Sequence, residues 1–128
     1  ELANRYVKAL EIVTPSIEQR VELLSGGNQQ KTLFARCASL RPKVLILQEP
    51  TQGIDVRTKT EIYRIIDEIS KEGVAVLIIS TEIQELLDNC DRVLVFFRGQ
   101  VKAEIRPQEN QVTEEQVAWL VEGEGHAS

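Results

Sequence analysis

The 128-residue sequence has one histidine and two cysteines. His126 sits in a polar tail and is given no role. Cys37 and Cys90 have no metal-ligand spacing, and both are expected as free thiols of a reducing compartment. Basic residues are in the minority, 15 Lys and Arg against 20 Asp and Glu, for a net charge of −5. That balance argues against a nucleic-acid partner, which usually shows a basic face. The longest apolar run, Val74 to Ile79, falls far short of the roughly 20 residues that span a bilayer. No signal peptide, internal repeat or low-complexity segment is visible. The chain begins at Glu1 rather than methionine, as expected of a piece of a longer protein. What is present, 42% apolar and 27% charged residues, is ordinary for one modest soluble domain with one core.

The organising stretch runs from Leu24 to Asp55. It opens with Leu24-Ser25-Gly26-Gly27-Asn28-Gln29-Gln30-Lys31. Ser25 has a side-chain oxygen suited to capping a helix start. Gly26 and Gly27 lack a Cβ, so a ligand can approach the backbone closely. Leu33, Phe34 and Cys37 follow at helical spacing, so a helix is predicted from about Asn28 to Leu40, ended by Arg41-Pro42. Backbone N–H groups at such a start form an anion site, aided by the helix dipole. Next comes Val44 to Leu47, an unbroken apolar run expected of a parallel strand covered on both faces. Gln48 and Glu49 fall at its carboxyl end, where ligands bind in such sheets. Pro50, Gly53 and Asp55 then form a loop, with Asp55 a good N-cap.

Together these segments resemble the signature motif, Walker B strand and D-loop of an ABC transporter ATPase domain. The form of Leu24 to Lys31 with Gly53-Ile54-Asp55-Val56 looks most like the sugar-importer branch, ribose-type importers included. The resemblance covers about Ile17 to Val121. It implies the α/β, three-layer P-loop NTPase fold, in its C-terminal part only: a parallel sheet flanked by helices, then a C-terminal β-hairpin. It also implies that Ser25, Gly26, Gly27 and Asn28 contact an ATP bound mainly by another ATPase domain, with Asp55 at the domain–domain seam. In the family the Walker B strand ends in Asp, which holds Mg²⁺, then Glu, which polarises the attacking water. Here Gln48 stands at the Asp position, so no metal ligand is assigned, and Glu49 is a catalytic base, working or vestigial.

The remaining elements follow from periodicity. Leu2 to Leu10 reads as a helix with Leu2, Tyr6, Ala9 and Leu10 on one stripe, broken by Thr14-Pro15-Ser16. A long helix from about Val56 to Lys71 carries Ile62, Ile65, Ile66 and Ile69 as its core stripe, with Gly73 just past its end. Val74 to Ile79 reads as a second buried strand, making a parallel βαβ unit with the first. Thr81 with Gln84 fits a capping box for a helix reaching Leu87 or Asp88. In the family this is the switch loop, where a His meets the γ-phosphate. Thr81 stands at that position, as in the second half of tandem sugar-importer ATPases. Val93 to Phe97 and Gln100 to Ile105 read as a hairpin around Arg98-Gly99. Thr113 to Gln116 is a capping box opening a last helix through Val117, Trp119, Leu120 and Val121.

No P-loop is found. Lys31-Thr32 looks like the end of one, but Gln30 and Ser25 stand where its glycines belong. By the resemblance, residues 1–24 are the end of a helical subdomain and a linker, 25–122 hold the motifs, and 123–128 are a disordered tail. ATP and Mg²⁺ are expected in the full assembly and neither in the isolated chain. Expected partners are another ATPase domain and transporter membrane subunits. The expected location is the cytoplasm, against the inner face of the cell membrane. Missing sheet strands would leave apolar surface open, so self-association of the isolated chain is expected. The competing reading is a non-catalytic, degenerate regulatory or dimerisation module, favoured by Gln48, Thr81 and the lack of a P-loop.

Overall fold

The computed structural model describes residues 1–122. The tail from Gly123, expected to be disordered, and His126 lie outside the described residues. The chain divides into two compact units, residues 1–79 and residues from 80 onward.

The first unit contains α1 (Leu2–Ala9), a 3-10 turn (Val21–Leu23), α2 (Gly26–Ser39), β1 (Val44–Gln48), α3 (Val56–Lys71) and β2 (Ala75–Ile79). Its centre is α3, whose apolar residues recur at helical spacing. Ile62, Ile65, Ile66 and Ile69 are all buried, worth about 1.5–3 kcal/mol each before the entropy of ordering. They pack in one cluster with Phe34 and Ala35 of α2, Leu45 of β1, and Leu10 and Ile12 beyond α1. Asp55 caps α3. Gly73 ends the connection at φ +95°, a conformation that disfavours any residue with a Cβ.

β1 and β2 pair in parallel, from Val44 opposite Ala75 to Gln48 opposite Ile79. One face, bearing Leu47, Val76 and Ile78 besides Leu45, packs on the core. On the other face Val44, Ile46, Leu77 and Ile79 remain 58%, 62%, 51% and 51% exposed. The expectation of strands buried on both faces is therefore corrected. No element of the first unit covers this second face, and the expected open apolar surface is there instead.

The second unit contains α4 (Ile83–Asn89), β3 (Val93–Phe97), β4 (Gln100–Ile105) and α5 (Glu114–Glu122). β3 and β4 pair antiparallel with Phe97 opposite Gln100. Arg98 and Gly99 take φ +48° and +76°, the two left-handed residues a type I′ turn requires. Leu87, Val93, Val95, Ile105 and Val117 form this unit's core. The predicted capping box at α5 is present: the Gln116 N–H donates to Thr113 Oγ1 at 3.3 Å, and the Thr113 N–H donates to Gln116 Oε1 at 2.9 Å.

Four local expectations need correction. α2 begins at Gly26, two residues early, because Ser25 caps it. Leu33 points outward, since the inward stripe of α2 is set by Lys31, Phe34 and Ala35. Leu2 and Ala9 are exposed; Tyr6 and Leu10 pack in the core as expected, joined by Val7. Thr81 does not cap α4. The N-cap is Glu82, without a side-chain cap bond. The Glu82 N–H donates to Ser80 Oγ at 3.0 Å, and that local turn delays the helix start. Gln84 bonds Asp88 Oδ1 at 2.8 Å rather than reaching back.

Candidate functional site

The site is built from two helix starts in the first unit. At α2, Ser25 Oγ accepts from the Asn28 Nδ2 at 2.9 Å and from the Asn28 N–H at 3.4 Å. Asn28 Oδ1 accepts from the Val13 N–H at 2.8 Å, which ties the incoming loop to the cap. Gln29 Nε2 donates to the Leu24 carbonyl at 2.8 Å. With two donors already at its oxygen, Ser25 keeps its hydroxyl proton for an outside acceptor. The N–H groups of Gly26 and Gly27 belong to the first turn, where no intrahelical acceptor exists, and no partner within the described residues takes them.

At α3, Asp55 Oδ1 accepts from the Thr58 N–H at 3.0 Å, and Oδ2 accepts from the Thr58 hydroxyl at 2.8 Å. These two bonds, the backbone one first, hold the Asp55 carboxyl below its ordinary value. Thr58 then meets the other helix start. A Cβ placed on Gly27 would lie 2.5 Å from Thr58 Cγ2. Gly27 is thus required by packing between α2 and α3, a role the sequence did not suggest. A Cβ on Gly26 would meet only Ile54 Cδ1 at an ordinary 3.8 Å, so packing does not demand that glycine. Ser25, Gly26, Gly27, Asn28 and Asp55 are in this way assembled around one close helix contact.

Glu49 follows β1 directly. Its N–H donates to the Ile79 carbonyl at 2.8 Å, extending the sheet by one bond, and its φ is +45°. That left-handed conformation costs a non-glycine residue about 1 kcal/mol. Gln48 is exposed at the strand end. Gln30 Nε2 donates to the Pro50 carbonyl at 2.9 Å, which ties α2 to the loop after Glu49. Thr81 is exposed in the second unit, at a bend ahead of α4.

Two residues were missed. Lys31 is only 5% exposed. Its Nζ lies 2.6 Å from Glu61 Oε2 and donates to the Glu11 carbonyl at 3.3 Å. The Lys31 hydrogen bond, ahead of its charge, holds the Glu61 carboxyl below the usual range. The available signal was helical spacing: Gly27, Lys31 and Phe34 share one stripe of α2, and Thr58, Glu61, Ile62 and Ile65 share one of α3.

The residues fit a phosphate better than a metal. Two free backbone N–H groups and a hydroxyl proton at a helix start suit an anion. Gln48 offers no charge to Mg²⁺, which favours carboxylates and water. No group of three or more His, Cys, Asp and Glu suited to a metal ion occurs among the described residues.

The fold matches known ATPases. It superposes on an ATP-binding cassette of an ABC transporter in its ADP conformation with TM-score 0.72 and 25% identity, over 91% of this chain and 43% of that one. On cbiO1 from Clostridium perfringens, part of the ABC transporter complex cbiONQ, it scores 0.75 with 29% identity, over 91% of this chain and 46% of that one. The fold is therefore that of an ABC ATPase cassette, in part. A family model described as ABC transporter matches residues 3–52. A Pseudomonas fluorescens protein assigned as a ribose/galactose/methyl galactoside import ATP-binding protein is 47% identical over 122 residues, 95% of this chain. A xylose import ATP-binding protein of Thermoanaerobacter pseudethanolicus is 50% identical over 107 residues, 84% of this chain. The chain is similar to ABC transporter ATP-binding proteins, and both of these relatives are named for sugar import. It spans 23% and 21% of the length of those two relatives.

Proposed function

We propose that this chain is the C-terminal part of an ATPase domain in a sugar-importing ABC transporter, and that it supplies the signature motif and D-loop to an ATP held mainly by another ATPase domain. The observation that carries this reading is the pairing of two helix starts. Ser25 and the Gly26 and Gly27 N–H groups offer donors at one, and Asp55 stands beside them at the other. Those donors act on phosphate by position and electrostatics, which carry most of the catalysis in phosphoryl transfer. Residues 1–24 serve as the end of the helical subdomain that faces the membrane subunits, and residues 25–122 carry the motifs. The working location is the inner face of the cell membrane. No helix among the described residues is long and apolar enough to cross it.

ATP and Mg²⁺ are used by the full assembly. ATP bound there supplies the γ-phosphate. Within this chain Glu49 is the candidate to orient a water, Thr81 the candidate phosphate contact in place of a His, and Gln48 holds no metal. The isolated chain binds Mg-ATP weakly, because the P-loop cradle and its lysine are not in this sequence. Calorimetric titration to millimolar Mg-ATP should show no saturable heat.

The direct test is Ser25→Arg in the full-length, assembled transporter. Its bulk blocks phosphate at the α2 start, and ATP turnover should be largely lost while the subunit still assembles. Undiminished turnover would remove the signature role. The exposed face bearing Ile46 and Leu77 favours a second reading, a non-catalytic association module, and with it self-association of the isolated chain. That reading predicts assembly-dependent effects of sheet-face variants and none of Ser25→Arg.

A further inference from the structure

The ion pair between buried Lys31 and partly exposed Glu61 has no part in the chemistry described above. A buried ion pair is a poor source of net stability, because desolvation offsets the Coulomb gain and an apolar pair often serves as well. What such a pair does supply is direction. Lys31 Nζ is aimed at two acceptors from two other segments, Glu61 of α3 and the Glu11 carbonyl after α1. Glu11 takes φ +50°, the left-handed conformation. Arg57 lies 3.5 Å from Glu61 Oε1 and Arg64 lies 3.4 Å from Glu11 Oε1, so both acidic residues are also held from outside. The pair sits one turn below the Gly27–Thr58 contact, on the same two stripes.

We propose that Lys31 and Glu61 are positioning residues: they clamp the starts of α2 and α3 into one body, so that the signature and the D-loop are presented to ATP together. This rests on the composite-site reading for its consequence in turnover, and on geometry alone for the clamp.

Amide hydrogen exchange on the 128-residue chain tests the clamp. The variants are Lys31→Met, Glu61→Gln and the two combined. The reporters are the Gln29 N–H, bonded to the Ser25 carbonyl, and the Lys59 N–H, bonded to the Asp55 carbonyl. Both should exchange faster together, by about tenfold or more, while the β1–β2 ladder changes less. The double variant removes the buried Lys31 charge that Glu61→Gln leaves without its carboxylate, so it should regain thermal stability relative to Glu61→Gln without regaining protection at either helix start. A uniform rise across helices and strands, a rise at one helix start only, or protection restored in the double variant would each overturn the clamp. In the assembled transporter the double variant should lower kcat several-fold with KM for ATP little changed, since most ATP contacts lie on the other domain. If Ser25→Arg abolishes turnover and the double variant does not change it, the positioning role is wrong. If Ser25→Arg has no effect, the composite-site reading fails while the exchange result still decides the clamp.

Discussion

The end of β1 and the start of α3 are joined by one short loop, yet they are built in opposite ways. At α3 the polar groups are committed: both Asp55 oxygens hold Thr58, and Thr58 closes on Gly27 of the neighbouring helix. At β1 the strand ends in an exposed Gln48 and a left-handed Glu49, and the sheet face behind them is open apolar surface. The helix starts are held by close packing and present backbone N–H donors, as the proposed role on another domain's phosphate needs. At the strand end the residue before Glu49 is the neutral Gln48, which offers no charge to Mg²⁺. On the proposed composite-site reading, the half of the site given to another domain keeps its donors while the chain's own half departs from the family pattern at Gln48.

The largest loss should come from breaking the close contact. Gly27→Ala puts a methyl 2.5 Å from Thr58 Cγ2 and should destabilise the first unit by about 1–3 kcal/mol, read as a lowered thermal midpoint. Thr58→Ser removes Cγ2 and keeps the hydroxyl, so it should restore most of that loss. If Gly27→Ala melts like wild type, the helix starts are not in the tight contact described. A smaller, pH-dependent loss is expected at the Asp55 cap. Its carboxyl is held below the ordinary 3.8, so its contribution is complete above that value and fades as pH falls through the native value. Asp55→Asn still caps but cannot titrate. Wild type should therefore melt higher than the variant at pH 7, and the gap should close below about pH 4. Parallel curves down to pH 3 would contradict the assignment. The smallest change in stability, within about 0.5 kcal/mol, is expected of Ile46→Lys with Leu77→Glu on the open face. The same pair should sharply reduce self-association in light scattering. A wild-type chain that stays monomeric at high concentration would count against that face as a sticky surface.

Much of this was legible in residue order. The four isoleucines of α3, the Asp55 cap, the Gly73 stop and the Arg98-Gly99 turn each follow from local rules, and each is present. The resemblance to an ABC transporter ATPase domain rested on motif order, and the fold agrees with that class. What was hidden depends on neighbours in space. A fully apolar strand reads as covered on both faces, but coverage depends on layers supplied elsewhere. Gly27 reads as room for a ligand, and its Cβ position turns out to be taken by Thr58. Lys31 reads as the remnant of a phosphate loop, and it is a buried partner of Glu61, thirty residues along the chain. Thr81 reads as a cap, and Ser80 displaces it by turning the backbone first.

The most direct measurement compares two variants of the assembled, full-length transporter in one ATPase assay. Ser25→Arg strikes the helix start that this chain offers to another domain's ATP, and Glu49→Gln strikes the chain's own strand end beside the neutral Gln48. An asymmetric division of labour predicts that Ser25→Arg removes most turnover while Glu49→Gln leaves it little changed. If Glu49→Gln stops hydrolysis as completely as Ser25→Arg, the strand end is a working site that tolerates Gln48, and the asymmetry is wrong.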